Sequence, residues 1–468
     1  MATRAPIPAP IFVGARSESP MSDISDKSDA APYAYPFTPI TPPSEYEEFP
    51  TPANKPLLLS LSDFESEAWP ADVRPFVAVI GVGYVGTHLV ENFSREYDTL
   101  GFDISPKRVA DLQQQFQDNG RVRLTSNTQD LREATHFLIS VPTLLRPDRT
   151  IDASYLSSAL QIVAAHARRG STVVIESSVA IGMTRNLLGP IAKAHGFFAG
   201  MSPERVDPGR TEPPAFAIPK IISGLDDVVP GSLASIARLY GPAFDRVVPV
   251  SKPEVAEMTK LYENCQRMMC IAYTNEMADA CGPHGIDPFE VVEAAASKPF
   301  GYMPYTPGPG VGGHCIPVNP YYLLSNSEFP LLKAATEAMW QRPANLAQRA
   351  IEVLEARQNK TFGMATDEKP RVLVVGVGFK PGQSTLSNSP GLDVVRALTV
   401  SQKVDVSFAD SLVTQDMVPS VPRLADDDWR VGTLAAYDMI IVAMRQVGFD
   451  YSILDQISGN VEWLCQRS

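Results

Sequence analysis

The chain has 468 residues, 44% hydrophobic and 20% charged, which allows two or three globular cores of ordinary composition. Its 40 basic and 53 acidic residues give a formal charge of −13, which argues against nucleic acid or an anionic membrane as the main partner. No run of about 18 apolar residues marks a membrane span, and five sparse cysteines fit free thiols in a reducing, cytoplasmic setting better than a disulfide framework or a metal site.

Residues 1–73 differ from the rest, with twelve of the 42 prolines in the first 56 positions among Ser, Thr, Asp and Glu. Such a segment buries too little apolar surface to offset its ordering entropy, so a disordered acidic tail is expected. Arg4 and Arg16 precede any acidic residue, as in a transit peptide, but Pro6, Pro8 and Pro10 interrupt the amphipathic helix such a peptide needs.

From Phe76 the pattern changes to short apolar runs alternating with helical periods: FVAVI, TLGFD, ATHFLISV and STVVIESSV. Alternation of this kind predicts a parallel sheet with helices on both faces, here over residues 74–250. A stretch without internal Gly or Pro, from Pro253 to about Gly282, predicts a long spine helix within a central helical domain, residues 251–357. A Gly/Pro-rich loop leads from it to His314 and Cys315, and more helix runs to about Arg357. After a polar linker (358–370) the alternation restarts at Arg371 with RVLVVGVGF, VDVSFAD and YDMIIVAM, predicting a smaller α/β unit over 371–468.

Gly81, Gly83 and Gly86 stand in the G-x-G-x-x-G spacing directly after a strand and at the start of a helix. In a dinucleotide site these glycines serve the tight turn, the approach of backbone to pyrophosphate, and helix–strand packing. Asp103 ends the next strand, 17 positions after Gly86, where a carboxylate accepts from ribose hydroxyls and favours NAD over NADP. The bland reading is a glycine-rich turn with a capping aspartate. The second unit opens with Gly376 and Gly378, and the pattern shows no third glycine. Its Lys380 either meets a substrate phosphate or is a solvated lysine at a strand end.

Lys260 and Asn264 are spaced i, i+4 on the spine helix, so they share one face. They form either a solvated polar face or a cation and amide holding an oxyanion. Cys315, flanked by Gly312, Gly313 and His314, is either inert or a nucleophile whose thiolate is favoured by a nearby cation such as Lys260.

GVGYVG, SVPT, ESSVAIG, SPERVDPG, KLYEN, PGPGVGGHCIPVNPYYL and GFKPGQSTLSNSP occur in that order, and with them the chain resembles the UDP-glucose/GDP-mannose dehydrogenase family from about Pro75 to Glu462. The Cys315 segment looks most like the branch acting on UDP-N-acetylhexosamines. The resemblance implies an N-terminal Rossmann-type domain, a central helical domain with the nucleophile, and a C-terminal Rossmann-like domain that binds UDP-sugar. It also implies NAD as cofactor, a homodimer through the central helix, and oxidation at carbon 6 in two hydride steps through a thiohemiacetal and a thioester on Cys315. Carried over residue by residue, it gives Lys260 and Asn264 oxyanion support, and Glu204 and Ser178 the positioning of water or a proton. The cofactor falls to Tyr84, Val85, Asp103, Arg108, Val141, Thr143 and Ser178 beside the glycines, and the substrate to Glu204, Arg205, Lys260, Asn264, Gly312 and Lys380.

Three departures stand out. Asn319 replaces the family's aspartate four residues after the nucleophile and cannot act as a base at neutral pH. Ser384, Thr385 and Ser387 replace paired aspartates and an arginine that reaches the cofactor, and VEWLCQRS lacks the family's aspartate–arginine pair. Each lost charge–phosphate contact weakens binding by about 1.5–3 kcal/mol unless replaced. A catalytically impaired relative that binds NAD and nucleotide-sugar without turnover is the second reading.

Overall fold

The structure, a computed structural model, describes residues 74–206, 212–358, 368–457 and 461–467. The expected tail and most of the linker lie outside these residues.

The first α/β part contains β1 (Phe76–Ile80), α1 (Tyr84–Ser94), β2 (Asp98–Phe102), α2 (Pro106–Gln115), β3 (Val122–Thr125), β4 (His136–Ile139), β5 (Leu144–Leu145), β6 (Ile151–Asp152) and α3 (Ser154–His166). It continues with β7 (Thr172–Ile175), α4 (Met183–His195), β8 (Phe198–Met201), β9 (Lys220–Gly224), α5 (Ser232–Ala243) and β10 (Val247–Pro249). The helical middle has α6 (Pro253–Cys281), α7 (Pro288–Ala296), α8 (Asn319–Leu324) and α9 (Pro330–Gln358). The last part has β11 (Arg371–Val375), α10 (Pro390–Ser401), β12 (Asp405–Ala409), α11 (Val431–Leu434), β13 (Met439–Val442) and β14 (Val461–Trp463).

Eight strands form the first sheet in the order β10-β9-β8-β7-β4-β1-β2-β3, parallel except where β9 meets β8. Its strands are apolar almost throughout because both faces are covered. Ala78 and Ile80 point into one core with Leu100, Phe137 and Val173, whereas Val77 and Val79 point into the other with Leu89, Phe93 and Tyr240. The period of two along β1 therefore feeds two cores at once. A second parallel sheet, β12-β11-β13-β14, repeats the design on a smaller scale. The predicted α/β architecture, with two parallel sheets around a helical middle, is what the structure shows.

Helix α6 runs 29 residues, about 43 Å, with Pro253 in its first turn. It packs against α8 and α9 and reaches β8 and β9. Its apolar inner positions, Leu261, Cys265, Met268 and Ala272, join Tyr322, Leu332 and Met339 in a third core. Glu257 ties the spine to the first sheet: its carboxylate accepts from the amides of Gly182 (2.6 Å) and Thr184 (2.9 Å) at the start of α4, a helix end without a side-chain cap of its own. Among the described residues no helix is long and apolar enough to cross a membrane.

Candidate active site

Strand order reverses at β1, which lies between β4 and β2, so a crevice opens at the carboxyl ends of β1 and β4. Gly81 leaves β1 with φ +86°, and a Cβ on Gly86 would stand 1.9 Å from the Gly81 carbonyl oxygen. Helix α1 can approach the turn this closely only with glycine at 86. At Gly83 a Cβ would meet nothing within 4 Å, so that backbone faces open space. No side chain caps α1 at Gly83. The first turn, with Tyr84, Val85 and Gly86, thus presents its amides and the positive end of the helix dipole to an anion. The crevice fits the pyrophosphate of a dinucleotide.

Asp103 and Arg108 grip the turn from the other side. Asp103 accepts from the amide of Val82 (3.1 Å) and from that of Ser105 (2.9 Å). Arg108 donates through Nε to the Val82 carbonyl (2.8 Å) and through Nη2 to Thr87 Oγ1 (2.9 Å). Asp103 braces the turn and does not cap the helix, since Ser105 caps α2, and its partly exposed carboxylate keeps lone pairs for a ribose. The loops after β4 and β7 are tied together beneath the crevice. Ser177 Oγ donates to the Val141 carbonyl and Thr143 Oγ1 to that of Ser178, each at 2.7 Å.

The second cluster meets where α6 faces the Cys315 loop. Lys260 is only 7% exposed. Burial lowers its pKa below the usual lysine value, while negative charge on Cys315, Glu204 and Glu263 opposes that shift. Cys315, Glu204 and Lys260 are therefore electrostatic neighbours, although they come from three separate segments. Asn264, one turn further along α6, donates from Nδ2 to Oδ1 of Asn319, and the Asn319 amide donates to the Cys315 carbonyl (2.9 Å). The departure at 319 thus falls inside this cluster, where the Asn319 side-chain oxygen accepts from Asn264. Among the described residues the Lys260 ammonium donates no hydrogen bond. A buried cation with unused donors, beside a thiol and an amide, can stabilise negative charge forming on an oxygen.

Some assigned side chains have protein partners of their own. Arg205 forms a two-pronged pair with Glu263 of α6 (2.5 and 3.2 Å) and donates to the Pro219 carbonyl (2.9 Å). A Cβ on Gly312 would press on Pro390 at 2.9 Å, and one on Gly313 on the Phe379 ring at 2.9 Å. The glycines before Cys315 are therefore required by the last α/β part, which packs on this loop, and not only by approach to a ligand. Lys380 follows Phe379 and is half-buried.

Residues 76–243 match the NAD-binding domain of the UDP-glucose/GDP-mannose dehydrogenase family, and residues 254–338 match its central domain. A UDP-N-acetyl-D-glucosamine 6-dehydrogenase of Pseudomonas aeruginosa is 31% identical over 403 residues, covering 80% of this chain and 91% of that protein. The chain belongs to the UDP-glucose/GDP-mannose dehydrogenase family. A UDP-N-acetyl-D-mannosamine dehydrogenase of Pyrococcus horikoshii is 31% identical over 377 residues, 75% of this chain and 87% of the relative. A solved UDP-D-ManNAc dehydrogenase from the same organism superposes with a TM-score of 0.73 at 27% identity, covering 84% of this chain and 96% of that one. A UDP-glucose dehydrogenase of Pyrobaculum islandicum shares the fold, with a TM-score of 0.72 at 21% identity over 86% and 96% of the two chains. The protein is an NAD-dependent dehydrogenase.

Three features of this dehydrogenase are not read from its sequence. The second unit does have a third glycine: a Cβ on Gly391 would stand 2.5 Å from the Gly376 carbonyl oxygen, the contact that Gly86 makes with Gly81. An inserted loop, residues 379–389, separates it from the first two and hides the motif. The same loop closes the turn, since a Cβ on Gly378 would stand 2.7 Å from the Gln383 carbonyl oxygen. The second missed feature anchors the start of the cysteine loop: Gly308 donates to Asn275 Oδ1 of α6 and accepts from Arg342 Nε of α9, both at 2.9 Å. The third is a buried ionic group behind Glu204, formed by Glu176, Lys220 and Tyr240. Its members lie on different strands and helices, so no local spacing announces them.

Proposed function

We propose that the protein oxidises carbon 6 of a UDP-N-acetylhexosamine to the uronic acid in two hydride steps, with Cys315 as the nucleophile. NAD bound in the crevice would supply the hydride acceptor. The reading rests on one observation: Lys260 is buried on the spine as an electrostatic neighbour of Cys315, and its ammonium donates no hydrogen bond to any described residue. A positive charge there stabilises the alkoxide formed as the alcohol loses its proton and the oxyanion made when sulfur adds to the aldehyde. Asn264 gives one N–H to Asn319 and keeps a second for the same oxygen. Glu204 is the carboxylate of this cluster, and with Ser178 it positions water against the thioester. Asn319 holds Asn264 in place but takes no proton. Lys380, on the loop that packs against Gly313, would meet a phosphate of the UDP-sugar on this reading.

An exposed stripe on α6, Met258, Tyr262, Tyr273 and Met277, supports a homodimer through this helix. Spaced by multiples near 3.6, these residues share one face opposite the buried polar one. Five free thiols accord with the cytoplasm.

The test is stoichiometry. Wild-type protein given UDP-N-acetylglucosamine and NAD should form two NADH per sugar. Cys315→Ala should stop at the aldehyde, detected by hydrazine trapping, with at most one NADH. Two NADH per sugar from the alanine variant would refute the covalent route.

A further inference from the structure

Glu204 is supported from behind by ionisable groups on three other segments. Lys220 of β9 donates at 2.7 Å to Oε2 of Glu204 and at 2.7 Å to Oε2 of Glu176, which follows β7. Tyr240 of α5 donates to the other oxygen of Glu176. Oε1 of Glu204 accepts from the amides of Arg205 (2.7 Å) and Val206 (2.9 Å). Glu176, Lys220 and Tyr240 are sealed from solvent, while the Glu204 side chain is 10% exposed. Two carboxylates thus share one ammonium, and only one of them reaches the cluster around Cys315.

Burial without charge partners would protonate both acids. Burial does raise Glu176, to about 7, because it outweighs the pull of Lys220. Burial also pushes Glu204 upward, but Lys220 and the amides of Arg205 and Val206 outweigh it and the net direction is down. Paired acids driven apart in this way are the usual arrangement for one that stays ionised while the other holds a proton.

We propose that Lys220 is a positioning residue that keeps Glu204 ionised and aimed at the hydrolytic water, while Glu176 competes for the same ammonium. This rests on the reading of Glu204 as the base of the last step. In that step a water O–H bond breaks and its proton goes to Glu204. The oxygen bonds to the thioester carbon, the C–S bond breaks, and sulfur leaves as the Cys315 thiolate beside Lys260. Because Asn319 cannot take the proton, the charge state of Glu204 governs the rate.

The two supports pull on Glu204 in opposite senses. Removing the ammonium in Lys220→Met should move the acid limb of thioester hydrolysis to higher pH by about one unit or more. Lys220→Arg, which keeps the charge, should return the limb toward its wild-type place. Removing the competing carboxylate in Glu176→Gln leaves Lys220 to Glu204 alone, so the limb should move to lower pH. His88, Lys260 and Tyr240 also act on Glu204 through space, and His88 is raised above its usual value by its hydrogen bond to Glu91, so His88→Gln serves as a control. The readout is decay of the acyl adduct on Cys315, followed by quench and intact-mass measurement after one turnover of UDP-N-acetylglucosamine with NAD. Melting curves check folding, and if Lys220→Met does not fold, Lys220→Gln, which also removes the charge, takes its place. Rates that fall without any movement of the limb, or limbs that move in the same direction for Lys220→Met and Glu176→Gln, would overturn the inference. Glu204→Gln separates the two levels. If it turns over normally, the base assignment itself is wrong; if its adduct accumulates but the limbs stay fixed, only the role of Lys220 and Glu176 is lost.

Discussion

Gly83→Ala should separate binding from folding in a single position. The backbone at Gly83 has a negative φ (−67°), and a Cβ there would meet no atom within 4 Å. The fold should lose nothing and gain up to about 0.4–1 kcal/mol from the stiffer unfolded chain. The same methyl group stands where the pyrophosphate must approach the first-turn amides of α1. Losing one charged hydrogen bond there costs about 1.5–3 kcal/mol, roughly a tenfold to hundredfold weaker hold on NAD. Gly86→Ala is the contrasting change, because its Cβ would stand 1.9 Å from the Gly81 carbonyl oxygen and force α1 off the strand. That overpacking should cost at least about 1–3 kcal/mol with or without NAD. Urea unfolding of the NAD-free proteins and calorimetric titration with NAD measure both quantities. A Gly83→Ala protein as unstable as Gly86→Ala, or one that binds NAD as tightly as wild type, would refute the placement of the pyrophosphate.

Glu257→Ala removes the carboxylate that accepts the amides of Gly182 and Thr184, leaving buried donors unpaired at the start of α4; a loss of about 1–3 kcal/mol should appear in urea unfolding. Arg342→Ala frees the Gly308 carbonyl and leaves Asp279 with Arg349 as its remaining partner. Stability should fall by about 1–3 kcal/mol, and alkylation of Cys315 by iodoacetamide should speed up as its loop loosens, which peptide mapping would detect. His136 sits buried in β4 and is held neutral, its pKa pushed down by burial to about 3. With an unfolded value near 6.5, stability should fall as pH drops below about 6.5, because only the unfolded chain then takes up the proton. The decline is at most about 1.4 kcal/mol per unit until the folded pKa is reached. His136→Gln should flatten the pH dependence between pH 6.5 and 5 relative to wild type, and an unchanged slope would sink that assignment.

The sheets, the dinucleotide turn and the spine were legible in the chain because each is written locally. FVAVI and RVLVV alternate with period two into paired cores, and the 29 residues of α6 contain no internal breaker. Lys260 and Asn264 were legible as a spacing but not as a site. A polar i, i+4 pair on a helix is normally the solvated side, and here the helix is inverted: Lys260 and Asn264 face inward, while Tyr262 between them is 69% exposed. Only the tertiary fold reveals that inversion, because it depends on what α8, α9 and the Cys315 loop bring to the other side. The Glu176–Lys220–Glu204 group was hidden for a related reason. It joins β7, β8 and β9, and cross-strand partners leave no period in the sequence.

The two glycine turns of this chain show how one local design is put to two uses. In both, an aspartate at the end of the second strand accepts from the amide that follows the first glycine: Asp103 from Val82 and Asp410 from Val377. Asp103 stays partly exposed, and its turn opens on space at Gly83. Asp410 is fully buried and accepts from four amides, those of Val377, Gly378, Leu412 and Val413, so its capacity is filled by protein. The insertion that closes this second turn also carries Phe379 and Asn388 to the cysteine loop, where Asn388 Nδ2 donates to the Gly313 carbonyl (2.8 Å) and the Gly313 amide donates to the Ser387 carbonyl (3.0 Å). The second turn, its aspartate filled and its Gly378 closed in, instead holds the cysteine loop at Gly313. Ser387, where the sequence resemblance implies an arginine, contacts this loop through its backbone carbonyl, which accepts from Gly313, two residues before the thiol.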